Sequence, residues 1–252
     1  MAQKRIQGVK LVQLNAWGGR LEHQLADLLS DEAATFVCLQ EIISTKGDGA
    51  FVISLEQLQT KAGLANSYMS PVMTFNLMNK KASFGNAILS EFPISDRQTI
   101  FTNLIHKDNF DFDSDDYNIR NLQHVQVSVG DVKLNILNHH GHHVRQHKNG
   151  DQQTLRQLEQ IADYISQLDG PIILAGDFNL APHSQSLELI NARLRNLSID
   201  YQLTTTRTEL TAKKEVCDYI FVSEAIKVTS FKASDKLASD HQALILDFEI
   251  VG

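Results

Sequence analysis

Two short runs in the second half of the chain carry residue types for which a sheet has no structural use: Gly176-Asp177-Phe178-Asn179 and, near the C-terminus, Ser239-Asp240-His241. Each flanks an apolar, strand-like segment. Buried strands favour Val, Ile and Leu, and an ionisable group at a strand end carries a desolvation cost unless it binds something. Asn15, Glu41 and a histidine cluster from His139 to His143 occupy three further strand ends. Together the five sites offer hard oxygen ligands and imidazoles without a thiolate. That donor set suits Mg2+ or Mn2+, which keep open positions for substrate phosphate. The chemistry implied is phosphoryl transfer. A cation clamps a non-bridging oxygen and lowers the pKa of a water, Asp and Asn hold the nucleophile in line, and His stabilises charge on the phosphoryl oxygens.

These residues need elements to position them. Gly8 to Leu14 reads as a strand, and Leu21, Leu25, Leu28 and Leu29 then fall at helical spacing. Thr35 to Leu39 is a short buried strand ahead of Glu41, and Phe51 to Leu64 reads as a helix. Strands follow at Phe84 to Leu89 and Ile94 to Phe101, broken at Pro93. Ile119 to Val129 alternates, with an irregularity expected near Gln123-His124, and Gly130-Asp131 turns into Val132 to Leu137. Leu155, Leu158, Ile161, Ile165 and Leu168 stripe a long helix that stops at Gly170-Pro171. Pro171 to Ala175 leads into Asp177, and strands at 218–222, 226–231 and 243–248 fill the C-terminal part. Many strands, few long helices and several hairpins imply an α/β fold of two packed sheets flanked by helices. A doubly wound dinucleotide fold does not fit, because no GxGxxG follows the first strand.

With 252 residues and no internal repeat or linker, the chain is expected to form one domain, 1–252, and to act as a monomer. Such a length buries enough surface to need no disulfide or structural metal. Cys38 and Cys217 lie in apolar stretches with no CxxC, as reduced core residues would. A polar N-terminus and the lack of any run of ~18 apolar residues point to a cytoplasmic protein that contacts no membrane. A net charge of −7, with Lys80-Lys81 and Lys213-Lys214 only isolated pairs and no basic stripe, disfavours a long duplex gripped along its backbone. A small phosphoester or a short or single-stranded nucleic acid remains open as substrate. The acidic run Asp108 to Asp116 reads as a solvated, mobile loop that lacks the glycine and closing glutamate of an EF-hand.

Seven motifs in order resemble the endonuclease/exonuclease/phosphatase superfamily, whose members share a DNase I-like, four-layered α/β sandwich. They are Leu14-Asn15-Ala16-Trp17, Cys38-Leu39-Gln40-Glu41, Gly85-Asn86-Ala87-Ile88-Leu89-Ser90 with Phe92-Pro93-Ile94, Leu137-Asn138-His139-His140, Gly176-Asp177-Phe178-Asn179 with Pro182, Cys217-Asp218-Tyr219-Ile220-Phe221-Val222, and Ser239-Asp240-His241. The resemblance implies a phosphodiesterase or nuclease in which Glu41 and Asp240 bind the metal, with Asn15 close by. Asp177 would position and activate the attacking water, and Asn179 would hold the water or the phosphate. His241, paired with Asp218, would donate to a phosphoryl oxygen, and His140 would do so from the other side.

Other readings stand beside these. Glu41 could serve as a charge at a helix N-terminus and Asn15 as a helix cap. The run His139-His140-Gly141-His142-His143, with His147 after it, departs from the family pattern. It leaves His139 as an alternative to His140 and admits a second, transition-metal site. Trp17 either lines the site or fills the core, and Arg120 is a candidate phosphate contact. Only 17 residues separate Val222 from Asp240, too few for a long DNA-penetrating loop or a membrane-inserting hairpin. An abasic-site endonuclease and a sphingomyelinase are therefore less expected. A phosphomonoesterase and a non-catalytic metal-binding scaffold of the same fold are the alternatives.

Overall fold

The computed structural model describes residues 5–45 and 54–251. In chain order, the first half contains β1 (Arg5–Asn15), α1 (Glu22–Glu32), β2 (Phe36–Thr45), α2 (Leu55–Lys61), β3 (Asn66–Leu77) and β4 (Lys80–Ser90). Then come β5 (Ile94–Asn103), β6 (Arg120–Val129), β7 (Val132–His140), α3 (Gln152–Ile165) and β8 (Ile172–Asp177). The short elements α4 (Glu188–Asn191), β9 (Arg195–Asn196) and α5 (Leu197–Asp200) precede β10 (Asp218–Val222). The chain closes with β11 (Ile226–Ala233) and β12 (Leu244–Val251).

Two mixed six-stranded sheets result, ordered β11-β12-β1-β2-β4-β3 and β5-β6-β7-β8-β10-β9. Alternation along each strand decides what each face buries. On β1, Val12 and Leu14 pack under Leu25, Leu28 and Leu29 of α1, while Val9 and Leu11 face the second sheet. On the second sheet, Ile136, Ile173 and Ile220 face the first, whereas Leu137, Leu174 and Phe221 pack under Leu158 and Ile161 of α3. The layers are therefore helix, sheet, sheet, helix, as the element pattern implied. Among the described residues, no helix is long and apolar enough to cross a membrane.

Towards one end the inner faces stop being apolar. Leu11 gives way to Gln13 and Asn15 on β1, and Cys38 to Gln40 on β2. Ile136 gives way to Asn138 and His140 on β7, and Ala175 to Asp177 on β8. Ile220 gives way to Asp218 on β10. The amides join the sheets: Gln13, bonded to Gln40 of its own sheet (2.9 Å), donates across to Asp218 (3.2 Å), and Gln40 donates across to Asn138 (2.6 Å). Asn138 in turn donates to the carbonyls of Leu39 (2.9 Å) and Ala87 (3.2 Å).

Several boundaries differ from the sequence reading, each for a local reason. The second helix begins at Leu55 behind a Ser54–Gln57 capping box, and residues 51–53 of its expected span lie outside the described residues. β3 was not anticipated. Its mixed Asn-Ser-Tyr-Met-Ser-Pro composition suits an edge strand, and Pro71 sits where its register shifts. The irregularity expected at Gln123-His124 is absent, since β6 pairs with β7 without a break from Leu122↔His139 to Val129↔Val132. Register shifts fall instead in the β5–β6 pairing. The acidic run is exposed but pinned: Lys107 and Phe110 pair with the backbone of Val72 and Thr74, and Asp108 accepts from Thr74 Oγ1 (2.6 Å).

One close approach constrains the site-bearing strands. A Cβ on Gly176 would lie 1.9 Å from the His139 carbonyl oxygen across the β7–β8 pair. Gly176→Ala should therefore lower stability by about 2 kcal/mol or more, because neither backbone can yield alone. An unfolding midpoint equal to that of the unsubstituted protein would show that the strands can part freely.

Candidate active site

At the polar end, the C-terminal ends of β1, β2, β7 and β8 meet the start of β10 and the segment before β12. Beside them, residues of β2, β7 and β8, of the turns after β1 and β8, and of the segments before β6, β10 and β12 line a cavity of about 410 Å³. Three of its lining residues have left-handed backbones unusual for side chains larger than glycine: Trp17 (φ 51°), Glu41 (φ 55°) and Asn179 (φ 55°). Such conformations cost about 1–3 kcal/mol each and persist where surrounding structure over-determines them. At Glu41 the cause is a slip in the β2–β4 register between Leu39 and Ile42. At Trp17 the backbone N–H is held by Asn15 Oδ1 (3.0 Å). At Asn179 the N–H donates to Asp177 Oδ1 (2.9 Å).

Asp177 is the hub. Its Oδ2 accepts from Asn15 Nδ2 (3.1 Å), with His241 Nε2 at 3.6 Å and His140 Nε2 at 3.9 Å. Burial alone would raise its pKa, but the charges of His241, Arg207 and Lys148 hold it well below the usual carboxylate range. Glu41 accepts from the same Asn15 amide (3.1 Å) and lies 3.7 Å from His140 Nε2. Desolvation keeps its pKa raised despite the Asn15 hydrogen bond. A carboxylate short of compensating charge at a cavity wall, with Asp240 on the same cavity, fits a hard divalent cation.

His241 is oriented by Asp218, whose Oδ2 and Oδ1 lie 2.8 and 3.0 Å from Nδ1. Burial would lower the His241 pKa, yet Asp218 and Asp177 outweigh it and hold it raised. Asp218 also accepts from Thr206 Oγ1 (2.6 Å) and Cys217 Sγ (3.4 Å). Among the described residues, Asp177, Cys217, Asp218 and His241 bring one ligand atom each within 4.8 Å of the others. Burial, then Asp218, keeps the Cys217 thiol protonated, and the lone pairs of Asp218 are taken. That group is a hydrogen-bonded support rather than a cage for a cation.

The eight sequence candidates Asn15, Glu41, His140, Asp177, Asn179, Asp218, Asp240 and His241 thus gather at one end of the sandwich. Asn15 caps no helix. It turns its amide nitrogen to Glu41 and Asp177 and its oxygen to Trp17, standing beside the carboxylates as a bridge. Strand parity separates the two histidines: His140 faces the cavity, whereas His139 is buried against Phe178 with Nδ1 on the Asn121 carbonyl. Burial, reinforced by Arg120, holds His140 neutral. The neighbouring histidines do not converge. His142 faces Asp151 (3.4 Å), His143 lies by Tyr117 Oη (3.4 Å), and His147 is exposed. Trp17 lines the cavity. Arg120 reaches it too, while donating to the carbonyls of Gly141 (2.7 Å) and Tyr117 (3.0 Å).

Sequence reasoning missed Arg207 and Lys148. A backbone bridge sets Arg207 beside His241, where its guanidinium lies against His241 Nε2 and stands 3.6 Å from Asp240. Burial opposes its charge, but Asp177 and its neighbours Asp218 and Asp240 keep it a fixed cation. Lys148 Nζ donates to Asn179 Oδ1 (2.5 Å). Each is a lone cation in an irregular polar stretch, with no periodicity to flag it.

A family model described as endonuclease/exonuclease/phosphatase matches residues 12–241. Solved structures share the fold at low identity. An endonuclease/exonuclease/phosphatase from Beutenbergia cavernae aligns with TM-score 0.75 and 17% identity, over 98% of this chain and 72% of that one. A mannosyl-6-phosphatase from Bacteroides thetaiotaomicron aligns with TM-score 0.66 and 15% identity, over 95% and 99%. Humanized D. rerio TDP2 aligns with TM-score 0.67 and 18% identity, over 95% and 98%. No curated protein sequence matches.

The two-histidine run also sets a pH dependence. Burial lowers the His139 pKa to about 4, so the folded state binds its proton less readily than the unfolded chain, where the value is near 6.5. Its neutral form therefore contributes stability in full above about pH 6.5, and as much as ~3 kcal/mol is lost as pH falls to about 4. Urea unfolding across that range should show His139→Gln with a shallower acid slope than the unsubstituted protein. Parallel slopes would mean that His139 is not buried neutral.

Proposed function

The chain belongs to the endonuclease/exonuclease/phosphatase family, whose members are phosphoesterase hydrolases, and on that premise we propose that it hydrolyses a phosphodiester by direct attack of water on phosphorus. The observation that carries this reading is the fencing of one ionised carboxylate oxygen. Asp177 Oδ2 has the Asn15 amide beside it and the imidazoles of His140 and His241 within 4 Å. An anion so placed accepts a hydrogen bond from a water and orients it, and the imidazoles around it can hold phosphoryl oxygens.

Asn179 would hold the far side of the water or the phosphate. His241 would donate from Nε2, with Asp218 fixing its orientation and favouring its charged form. Arg207 now contacts that nitrogen, and a phosphate oxygen would compete for its N–H groups. His140, neutral, would contribute a hydrogen bond without adding charge. Mg2+ or Mn2+, held by Glu41 and Asp240 with Asn15 close by, would supply Lewis-acid stabilisation of phosphoryl charge. A small or single-stranded substrate suits the acidic chain. A phosphomonoester is the second reading, supported by the positive charge of Arg120, Arg207 and Lys213 on the cavity and Lys148 behind Asn179, which suits a dianion.

Turnover of bis-p-nitrophenyl phosphate, p-nitrophenyl phosphate, single-stranded and duplex DNA, and RNA, each with Mg2+, Mn2+ or EDTA, separates the readings. Asp177→Ala and His241→Ala should each lower kcat on the preferred substrate by at least ~100-fold. Near-normal turnover in either variant would overturn its assigned role, and metal binding without any turnover would favour the scaffold alternative. Glu41→Ala should chiefly raise the metal concentration needed for half-maximal rate. An unchanged metal dependence would remove Glu41 from the ligand set.

A further inference from the structure

Beside the charged groups, the same cavity has a wall of rings. Five of its seventeen lining residues are Trp17, Phe75, Phe84, Phe112 and Tyr117, whereas aromatic residues make up 7% of the chain. Phe75 and Phe84 come from β3 and β4, the strands next to β2 at the sheet edge, so the wall extends sideways from Glu41. Phe112 and Tyr117 come from the pinned segment before β6.

Two of these rings are poised in ways that core packing does not require. Phe112 is 68% exposed, yet it is held by edge contacts to Phe75 and Phe110, both with centroids 5.1 Å away. Its supports are buried and its own face is free. Trp17 keeps a left-handed backbone, secured by Asn15, and Arg20 covers its ring at 4.8 Å. The residue that bridges Glu41 and Asp177 therefore also sets the Trp17 indole at the cavity.

Resting on the phosphoester reading above, we infer that this wall is a subsite for a planar aromatic group carried by the substrate. The substrate is then a small aryl or nucleobase-bearing phosphoester, with its phosphoryl group at Asp177 and His241 and its ring against Phe112 and Trp17. A cavity of about 410 Å³ lies at the lower end of small-ligand sites and accommodates a phosphoryl group with one ring system. Rings favour rings here over plain alkyl chains, because edge and stacked contacts add to the burial of apolar area. An aliphatic lipid tail would gain only the area term.

Trp17 is the only tryptophan in the chain, so its fluorescence reports occupancy directly. Titration with phenylphosphonate and with methylphosphonate, each with Mg2+, compares two phosphoryl ligands that differ only in the ring. Calorimetry repeats the comparison independently of the indole. Phenylphosphonate should bind at least about tenfold more tightly, and Phe112→Ala should reduce that advantage to about twofold while leaving methylphosphonate affinity unchanged. Phe112 is exposed, so its truncation leaves the core intact, and Phe112→Tyr should keep the preference. Equal affinities in the unsubstituted protein, or a preference indifferent to Phe112→Ala, would overturn the aromatic subsite and leave the phosphoester reading standing. Failure of both ligands to bind would overturn both.

Discussion

A buried layer of side-chain amides between the two sheets underlies everything else in this structure. Gln13, Gln40 and Asn138 are all fully buried, and each makes at least one hydrogen bond across the gap between the sheets. A buried amide deprived of its partner costs roughly 1–3 kcal/mol. Sliding one sheet by a residue would strand several at once, while the apolar part of the interface alone would tolerate such a slip far better. The amides therefore set the register in which β1 and β2 meet β7, β8 and β10, and that register is what brings Asn15 and Glu41 to Asp177.

Above that layer, the site is assembled from groups that would be unstable apart. Asp177 is kept ionised in a buried place by cations on several sides, and His241 holds a raised pKa because Asp218 and Asp177 oppose the cost of burial. Three left-handed residues, Trp17, Glu41 and Asn179, store backbone strain at the same spot. Each is held by a hydrogen bond or a register slip, so the strain is carried by the sheets and the side chains stay aimed. Preorganisation of this kind lets charge develop on a bound group without rearrangement of the site.

The ring wall belongs to a different part of the architecture. Apart from Trp17, it is built from the side chains of an edge hairpin and a surface segment, which take no part in the amide layer's hydrogen bonds. A fold with its buried polar groups on strand ends and its rings on edge elements can vary the two separately.

Much of this was legible in the residues. Period-two alternation in β6 and β7, the Gly130-Asp131 turn and the stripe of α3 announced their elements, because each follows from local geometry. The polar residues at the ends of β1, β2, β7, β8 and β10 stood out, because a sheet gives no reason to place charge there. β3 was hidden by its mixed composition, which an edge strand tolerates and a buried strand would not. Choosing His140 over His139 required the β7–β8 pairing, since adjacent residues on a strand point to opposite faces and only the neighbouring strand says which face is the cavity. Arg207 and Lys148 were invisible for a related reason. They lie in irregular segments with no period, and an arginine becomes part of a site only when the fold carries it to a histidine 34 residues away. Residue type pointed to the kind of chemistry, because it needs only the donor set; long-range packing decided which side chains share the cavity.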